Sequence, residues 1–170
     1  MTEIHLIEKV FRDNERKKLL EDSKPLLLSL KDRGGATYPG KQTLPNLQMN
    51  PKFEFPLNHL MEVINKKTRL NLALDRAWVN WTNGRKKDLM WHNHPSDYSA
   101  VYYMKTPLPW FSNGTLFRTG FIKTPENSVL IFPSHLEHTA PTSPFRFGRY
   151  TLALDLNIKN KIRIFEQDYS

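Results

Sequence analysis

Residues 70–81 read Leu-Asn-Leu-Ala-Leu-Asp-Arg-Ala-Trp-Val-Asn-Trp, and this stretch decides the fold class. Leucine alternates with Asn, Ala and Asp from position 70 to position 75, and residues 77–81 continue in the same manner. Alternation with a period of two is typical of a β-strand with one buried face. We therefore expect a β-rich region to begin here.

Six more strand candidates follow this stretch, at residues 98–104, 115–122, 129–132, 137–140, 150–156 and 162–165. Turn-forming clusters such as Ser112-Asn113-Gly114 and Pro125-Glu126-Asn127 separate them. Short strands at this spacing, without intervening helices, favour an antiparallel sandwich or barrel.

The first third of the chain has a different pattern. A short strand candidate at residues 4–11 precedes a helical pattern at 13–30, and a connection rich in Gly, Pro, Asn and Thr spans 31–51. Pro56 then opens a second helix, which we expect to end near Lys67. We predict a mainly β (α+β) fold in a single domain over residues 1–170, with a helical N-terminal part (1–68) packed outside a β-core (69–166).

Composition excludes several classes of protein. A hydrophobic fraction of 39% argues against a disordered chain, and 170 residues suit one domain. The absence of cysteine excludes disulfide scaffolds, Fe–S clusters and cysteine nucleophiles, so any metal site must use His, Asp or Glu. No signal-peptide core and no bilayer-spanning apolar stretch are visible, which predicts a cytoplasmic protein without a membrane partner.

The net charge of +8 favours an anionic partner. The basic residues form short, dispersed runs rather than a tail, so nucleic acid is a possible partner that we do not favour.

The histidines form the first candidate site. His92 and His94 stand two apart just before the strand candidate at 98–104, and in an extended chain both side chains point to the same side and could reach one ion. His138 lies on a later strand and could provide a third ligand. His135 is three positions from His138, which favours opposite faces of a strand, so we expect only His138 to be a ligand.

An arginine forms the second candidate site. Arg149 comes eleven residues after His138 and shares a strand face with Thr151, Ala153 and Asp155. Among small neighbours it could project into a cavity and bind a carboxylate through two parallel hydrogen bonds. Thr151 could add a hydroxyl donor.

Four segments in this order resemble the Fe(II)- and 2-oxoglutarate-dependent oxygenases. They are His92-Asn93-His94-Pro95, then Ser99-Ala100-Val101-Tyr102-Tyr103-Met104, then Leu-Ile-Phe-Pro-Ser-His-Leu-Glu-His at 130–138, and Arg149-Tyr150-Thr151-Leu152-Ala153-Leu154. The resemblance is to the small bacterial and phage members, which are prolyl-hydroxylase-like, and it covers residues 78–157.

The resemblance implies a double-stranded β-helix, a jelly-roll and cupin relative, with the metal held at one open end. It implies an enzyme that hydroxylates a C–H bond, uses Fe(II), 2-oxoglutarate and dioxygen, and releases succinate and CO2. His92 and His138 would be iron ligands, and Arg149 would pair with the distal (C5) carboxylate of 2-oxoglutarate. Thr151, Tyr102 or Tyr103, and Asn80 would assist at the co-substrate.

The sequence departs from the family pattern at His94, where most members have Asp or Glu. Three ligand sets remain open at this stage: three histidines, two histidines with Asp97 as the carboxylate, or two histidines with water. We favour the three-histidine set, because imidazole is a good ligand for iron.

Two further functions are open from the sequence. One is a cupin-like metal- or ligand-binding module without oxygenase turnover, and the other is a basic nucleic-acid-binding β-domain. The primary substrate, whether a protein, a peptide or a metabolite, is not encoded in a readable motif. Loops around the barrel mouth select substrates in such folds, and the candidates are residues 31–51, 106–114 and 141–148.

Overall fold

The computed structural model describes residues 3–30, 40–82, 90–106, 113–141 and 148–159. In these ranges the chain is mostly β, with two α-helices and antiparallel sheets, in agreement with the predicted class. In chain order the elements are β1 (His5–Glu8), α1 (Asp13–Leu28), β2 (Gly40–Gln42), α2 (Glu54–Thr68), β3 (Leu72–Thr82), β4 (Tyr98–Lys105), β5 (Gly114–Phe117), β6 (Gly120–Lys123), β7 (Ser128–Pro133), β8 (His138–Thr139) and β9 (Arg149–Ile158).

The strands form two antiparallel sheets. The larger has the order β1-β7-β4-β9-β3-β2, and the smaller has the order β6-β5-β8. The long strand β9 pairs with β3 on one side and with β4 on the other, so three of the strands that carry the sequence motifs lie side by side.

Two of the predicted elements are corrected by the structure. Residues 115–122 form two strands, β5 and β6, because the chain reverses in a tight turn that pairs Phe117 with Gly120. Gly120 has a φ of 144°, a conformation that glycine adopts most easily. The connection at 31–51 contains strand β2, which extends the sheet beside β3. The strand candidate at 162–165 lies outside the described residues.

Both helices pack against one face of the six-stranded sheet, which we call the helical face. Leu19 and Leu27 of α1 and Leu60 and Ile64 of α2 are buried there. The strands contribute alternate residues to the same apolar cluster, including Ala77, Val79, Tyr102, Met104, Leu152 and Leu154. Burial of this apolar surface is the main source of stability for the arrangement.

A β-bulge sets the phase of strand β3. The register of β3 against β9 shifts between Leu74 and Arg76, so that Asp75 is the extra residue. Leu72 and Leu74 therefore face the helices before the bulge, and the odd-numbered Ala77 and Val79 do so after it. The even-numbered residues that follow the bulge are turned to the opposite face of the sheet.

This opposite face, which we call the cavity face, looks towards the three-stranded sheet. A small apolar cluster of Tyr103, Phe117, Leu130 and Phe132 joins the two sheets. Beside it the sheets leave a cavity of about 480 Å³. No helix in the described part of the chain is both long enough and apolar enough to cross a membrane.

Candidate metal centre and its cavity

The two histidine-bearing segments lie next to each other as a short antiparallel pair. The backbone N–H of His92 donates to the carbonyl of His138 at 3.1 Å, and the N–H of His138 donates back at 2.9 Å. The N–H of His94 donates to the carbonyl of Ser134 at 3.1 Å. Backbone pairing, rather than side-chain contact alone, thus brings together histidines that are distant in sequence.

Three of the predicted residues form one cluster. The potential ligand atoms of His92, His94 and His138 all lie within 4.8 Å of one another. The ring centres of His92 and His138 are 4.4 Å apart, and that of His94 is 5.2 and 5.3 Å from the other two. His135 is exposed and lies outside the cluster.

The surroundings of the three rings select one tautomer. In His92 and His138, Nδ1 lies 3.0 and 2.9 Å from the main-chain carbonyl oxygen two residues earlier. In His94, Nδ1 lies 3.0 Å from Oδ1 of Asp155. Carbonyl oxygens only accept, so in the neutral rings of His92 and His138 Nδ1 carries the proton and Nε2 carries the lone pair. The contact of His94 with the carboxylate of Asp155 favours the same tautomer. Three such rings offer three Nε2 donors, which suit a transition metal such as iron.

Burial keeps His138 neutral. Loss of solvation lowers the pKa of His138 to about 4, the neighbouring His92 and His94 lower it further, and a main-chain hydrogen bond with Leu136 opposes the shift. The ring is therefore unprotonated at neutral pH, which is the state that a metal ion requires.

The structure brings His94, and not Asp97, to the other two histidines. Asp97 Oδ2 accepts a hydrogen bond from the backbone N–H of Ile158 at 2.9 Å, and Asp97 does not belong to the cluster of potential ligand atoms. Of His94 and Asp97, only His94 belongs to the histidine cluster.

Arg149 opens onto the same cavity as the histidines. Its Nη1 donates to the carbonyl of Gly114 at 3.0 Å, and its guanidinium carbon lies 5.7 Å from the centre of the Tyr103 ring. A Cβ atom at Gly114 would lie 2.0 Å from the carbonyl oxygen of Ile122, so a larger residue would displace this strand end. Glycine at this position therefore helps to fix the arginine.

Hydroxyl groups surround the arginine end of the cavity. Thr115, Thr151 and Tyr103 line the cavity, and the Tyr103 hydroxyl lies 2.8 Å from Oγ1 of Thr115. Burial raises the pKa of Tyr103, partly opposed by the charge of Arg149, so the phenol keeps its proton. A guanidinium beside three hydroxyls could hold a carboxylate.

Asn80 lies where the sequence placed it, and Tyr102 does not. Asn80 pairs with Thr151 across β3 and β9, and both line the cavity. Tyr102 is on the helical face, where its hydroxyl donates to Oδ1 of Asn127 at 2.8 Å. Successive residues of a strand point to opposite faces, so the cavity receives Tyr103 instead, and the prediction for Tyr102 is corrected.

Two residues beside His94, Asp155 and Trp78, were assigned no role from the sequence. Asp155, with 1% of its surface exposed, contacts His94, and the only sequence signal for it was an acidic group on the same strand face as Arg149. The Trp78 ring stacks on that of His94 with centres 5.5 Å apart. Trp91 also lines the cavity, with the Arg118 guanidinium carbon 4.0 Å from the centre of its ring.

The loops expected to choose a substrate are only partly visible. Residues 31–39, 107–112 and 142–147 lie outside the described ranges, so the predictions for these loops stand as predictions.

Comparison with known proteins gives a consistent fold. No protein-family model and no curated protein matches the sequence. Among solved structures, HygX from Streptomyces hygroscopicus with nickel, 2-oxoglutarate and hygromycin B bound is similar, with a TM-score of 0.70 and 13% identity over 94% of this chain and 84% of HygX.

Two other solved structures show the same similarity. The viral collagen prolyl hydroxylase vCPH from Paramecium Bursaria Chlorella virus-1, in its 2-oxoglutarate complex, gives a TM-score of 0.61 and 13% identity over 90% of this chain and 94% of vCPH. The non-heme α-ketoglutarate-dependent epimerase SnoN from nogalamycin biosynthesis gives 0.69 and 12%, over 91% of this chain and 77% of SnoN.

The resemblance seen in the sequence is thus confirmed at the level of the fold. The chain has the fold of the iron- and 2-oxoglutarate-dependent oxygenases, including prolyl hydroxylases. Identities of 12–13% carry the likeness no further than the fold.

Proposed function

We propose that this chain is an Fe(II)- and 2-oxoglutarate-dependent dioxygenase that hydroxylates a C–H bond of a protein, a peptide or a small molecule. The observation that carries the proposal is the opening of the histidine cluster and Arg149 into one cavity. A metal-binding set and a carboxylate-binding set in the same cavity are what such an enzyme needs. The shared fold supports the proposal independently of the residues.

His92, His94 and His138 would hold the iron through Nε2. The donor set fits, since three imidazole rings lie together and the Nδ1 of each ring lies against an oxygen acceptor. These three side chains would be the protein's ligands to the iron, and the rest of the cavity would be free to receive 2-oxoglutarate. When bound, iron and 2-oxoglutarate supply the activation of dioxygen and the oxidation of the substrate C–H bond, with succinate and CO2 as co-products.

Arg149 would bind the distal carboxylate of 2-oxoglutarate. Its guanidinium can form two parallel hydrogen bonds to a carboxylate, and Thr151 and Tyr103 offer hydroxyl donors on the same wall. Asn80 would contact the co-substrate from the neighbouring strand. These residues orient the 2-oxoglutarate, and none of them has to act as a general base.

We also infer that the two sheets form a double-stranded β-helix, as in a jelly roll. The facing arrangement of the cavity face and the three-stranded sheet, with the cavity between them, supports this architecture. We propose that residues 1–170 act as one catalytic domain.

A weak absorption band in the visible range tests the proposal. Anaerobic addition of Fe(II) and then 2-oxoglutarate to the metal-stripped protein should produce the band, and succinate should accumulate once air and a substrate are supplied. A folded protein that binds stoichiometric iron and gives no band on addition of 2-oxoglutarate would overturn the assignment.

The matched control for this experiment is Arg149→Gln. A dioxygenase predicts that the variant needs far more 2-oxoglutarate to develop the band. A cupin-like module without turnover predicts iron uptake through the histidines and no effect of the arginine. A nucleic-acid-binding domain is not favoured, since Arg149 by itself can account for an anionic ligand.

A further inference from the structure

The buried carboxylate of Asp155 lies between a candidate metal ligand and an arginine. Its Oδ1 is 3.0 Å from Nδ1 of His94, and its Oδ2 is 2.8 Å from Nη2 of Arg76. Only 1% of the residue is exposed. An ionised carboxylate in such a place is costly unless it is paired, and Arg76 supplies the opposite charge.

The bulge in β3 creates this arrangement. Because Asp75 is the extra residue, Arg76 pairs directly with Asp155 across the two strands. A continuous alternation from Leu72 and Leu74 would have turned position 76 towards the helices. The bulge therefore turns the side chain of Arg76 to the cavity face, where it contacts the carboxylate of Asp155.

The ring of His94 is held on two sides. Trp78 stacks on the ring at an interplanar angle of 23°, and Asp155 lies against Nδ1. The stacking fixes the plane of the ring. The contact places Nδ1 of His94 against Oδ1 of Asp155, a buried oxygen that has no other partner at hydrogen-bond distance in the described structure. Nε2 is then left as the lone-pair nitrogen beside the other two histidines.

We propose that Asp155 is a positioning residue of the metal centre, acting through His94. It holds His94 in the tautomer that carries a proton on Nδ1, and it places a negative charge behind a metal site whose direct ligands are all neutral. The inference rests on the metal site of the proposed function and adds to it a role for a residue that is not itself a ligand.

Two physical effects give Asp155 this role. A carboxylate hydrogen-bonded to a ligating imidazole raises the basicity of the ring, and removal of such partners in metalloproteins costs about 10- to 100-fold in metal affinity. A negative charge near a divalent cation is also strongly felt in a buried, poorly solvated site. Arg76, which is partly exposed, moderates the second effect and leaves the first intact.

Co(II) titration of the metal-stripped full chain provides the test. Absorption of bound Co(II) and competition with a chelator report affinity and ligand environment, without any need for turnover. Asp155→Asn should weaken Co(II) binding about 10- to 100-fold and change the Co(II) spectrum. Arg76→Gln should bind within about threefold of the wild type or more tightly, because the variant keeps the contact of Asp155 with His94 and removes a positive charge near the metal site.

Glu126→Gln is the matched control. Glu126 forms an ion pair with Arg16 of α1, outside the residues that line the cavity, so its removal breaks a comparable pair and should leave Co(II) affinity unchanged. If Asp155→Asn alone does not fold, the double variant Asp155→Asn with Arg76→Gln, which removes both charges together, should fold and show the same loss of affinity.

The outcomes separate this inference from the proposed function. Wild-type affinity in the Asp155 variants, together with a large loss in His92→Ala, would overturn the role of Asp155 and keep the metal site. Equal losses of Co(II) affinity in Asp155→Asn and Arg76→Gln would mean that the ion pair only stabilises the surrounding fold, and would overturn the positioning role of Asp155. Wild-type affinity in His94→Ala with loss in Asp155→Asn would make Asp155 itself the ligand. Failure of the wild type to bind Co(II) would instead reject the proposed function.

Discussion

The helical face and the cavity face of the six-stranded sheet use alternate residues of the same strands. Strand β9 gives Leu152, Leu154 and Leu156 to the helical face, all fully buried in the main apolar cluster. On the cavity face the same strand presents Thr151 and Asp155, whose polar side chains are also buried. Stability and chemistry are thus assigned to opposite sides of one strand.

This difference means that substitutions on the two faces should have separable effects. Helical-face residues stabilise the fold by burying apolar surface and by packing closely. Truncating one of these side chains removes both contributions and leaves an empty space in the core. The polar residues that line the cavity hold their hydrogen-bonding and charged atoms near one another and contribute little to the main apolar cluster. The predictions that follow compare the two faces directly.

The largest effect is expected for His92 on the cavity side. His92→Ala should lower metal affinity by more than about 100-fold and abolish turnover, because the loss of a ligand exceeds the loss of its supporting partner. The side chain is exposed, so the unfolding free energy of the metal-free protein should change little. Equilibrium metal binding and urea unfolding of the same preparation check both statements, and undiminished metal binding would contradict the first.

Leu152→Ala is the counterpart on the helical face. It should lower the unfolding free energy by about 2–5 kcal/mol, since a fully buried leucine leaves a cavity between the strands and helices. The midpoint of urea unfolding should fall with an unchanged slope. Metal stoichiometry of the folded fraction should stay as in the wild type, and a loss of metal without a loss of stability would break the proposed separation.

Arg149→Gln should mainly weaken the binding of 2-oxoglutarate. Replacement of a charge-assisted pair costs about 1.5–3 kcal/mol, which corresponds to roughly a 10- to 150-fold higher dissociation constant. Titration of the visible band with 2-oxoglutarate measures this constant, and Fe(II) affinity in the absence of 2-oxoglutarate serves as the control. An unchanged constant would remove Arg149 from the co-substrate site.

Adjacent tyrosines give the sharpest comparison of the two faces. Tyr103→Phe should weaken 2-oxoglutarate binding by about threefold to tenfold through loss of one hydroxyl donor, with Fe(II) affinity unchanged. Tyr102→Phe should leave 2-oxoglutarate binding unchanged and cost about 1 kcal/mol of stability, because its hydrogen bond to Asn127 is lost. The reverse pattern would mean that Tyr102, and not Tyr103, faces the cavity.

The last prediction concerns pH and the metal-free protein. His138 has a pKa of about 4 when folded and near 6.5 when unfolded, so between these values the unfolded state binds more protons and stability falls as the pH drops. The loss from this group should reach about 1.4 kcal/mol at pH 5.5. It is measured as the difference between wild type and His138→Gln from pH 7.5 to 5.5, and parallel curves for the two proteins would contradict it.

Strand periodicity and histidine spacing were enough to predict much of this picture. The His-x-His spacing predicted that His92 and His94 lie on one side with His138 near them, and in the structure the three form one cluster; their role as metal ligands stays a prediction. In the sequence of β3 the apolar residues stand at even positions up to Leu74 and at odd positions from Ala77, so the alternation changes phase between them. The pairing of β3 with β9 shows that this change is a bulge at Asp75.

Cross-strand register accounts for what the sequence could not supply. Alternation separates Tyr102 from Tyr103, but which of them meets the cavity depends on Tyr103 standing opposite Thr151. Asp155 reaches His94 only because β9 lies between β3 and β4, and no spacing along the chain encodes that contact. The turn that divides β5 from β6 depends on Gly120 in a run that otherwise reads as one strand.

Anomalous diffraction at the iron edge, from crystals grown anaerobically with Fe(II), tests the central claim most directly. The account predicts one iron peak per chain on the cavity face, within bonding distance of Nε2 of His92, His94 and His138, with Asp155 behind His94. A peak coordinated by Asp97 or Asp155 in place of His94, or no peak at the histidines in a protein that carries stoichiometric iron, would contradict it.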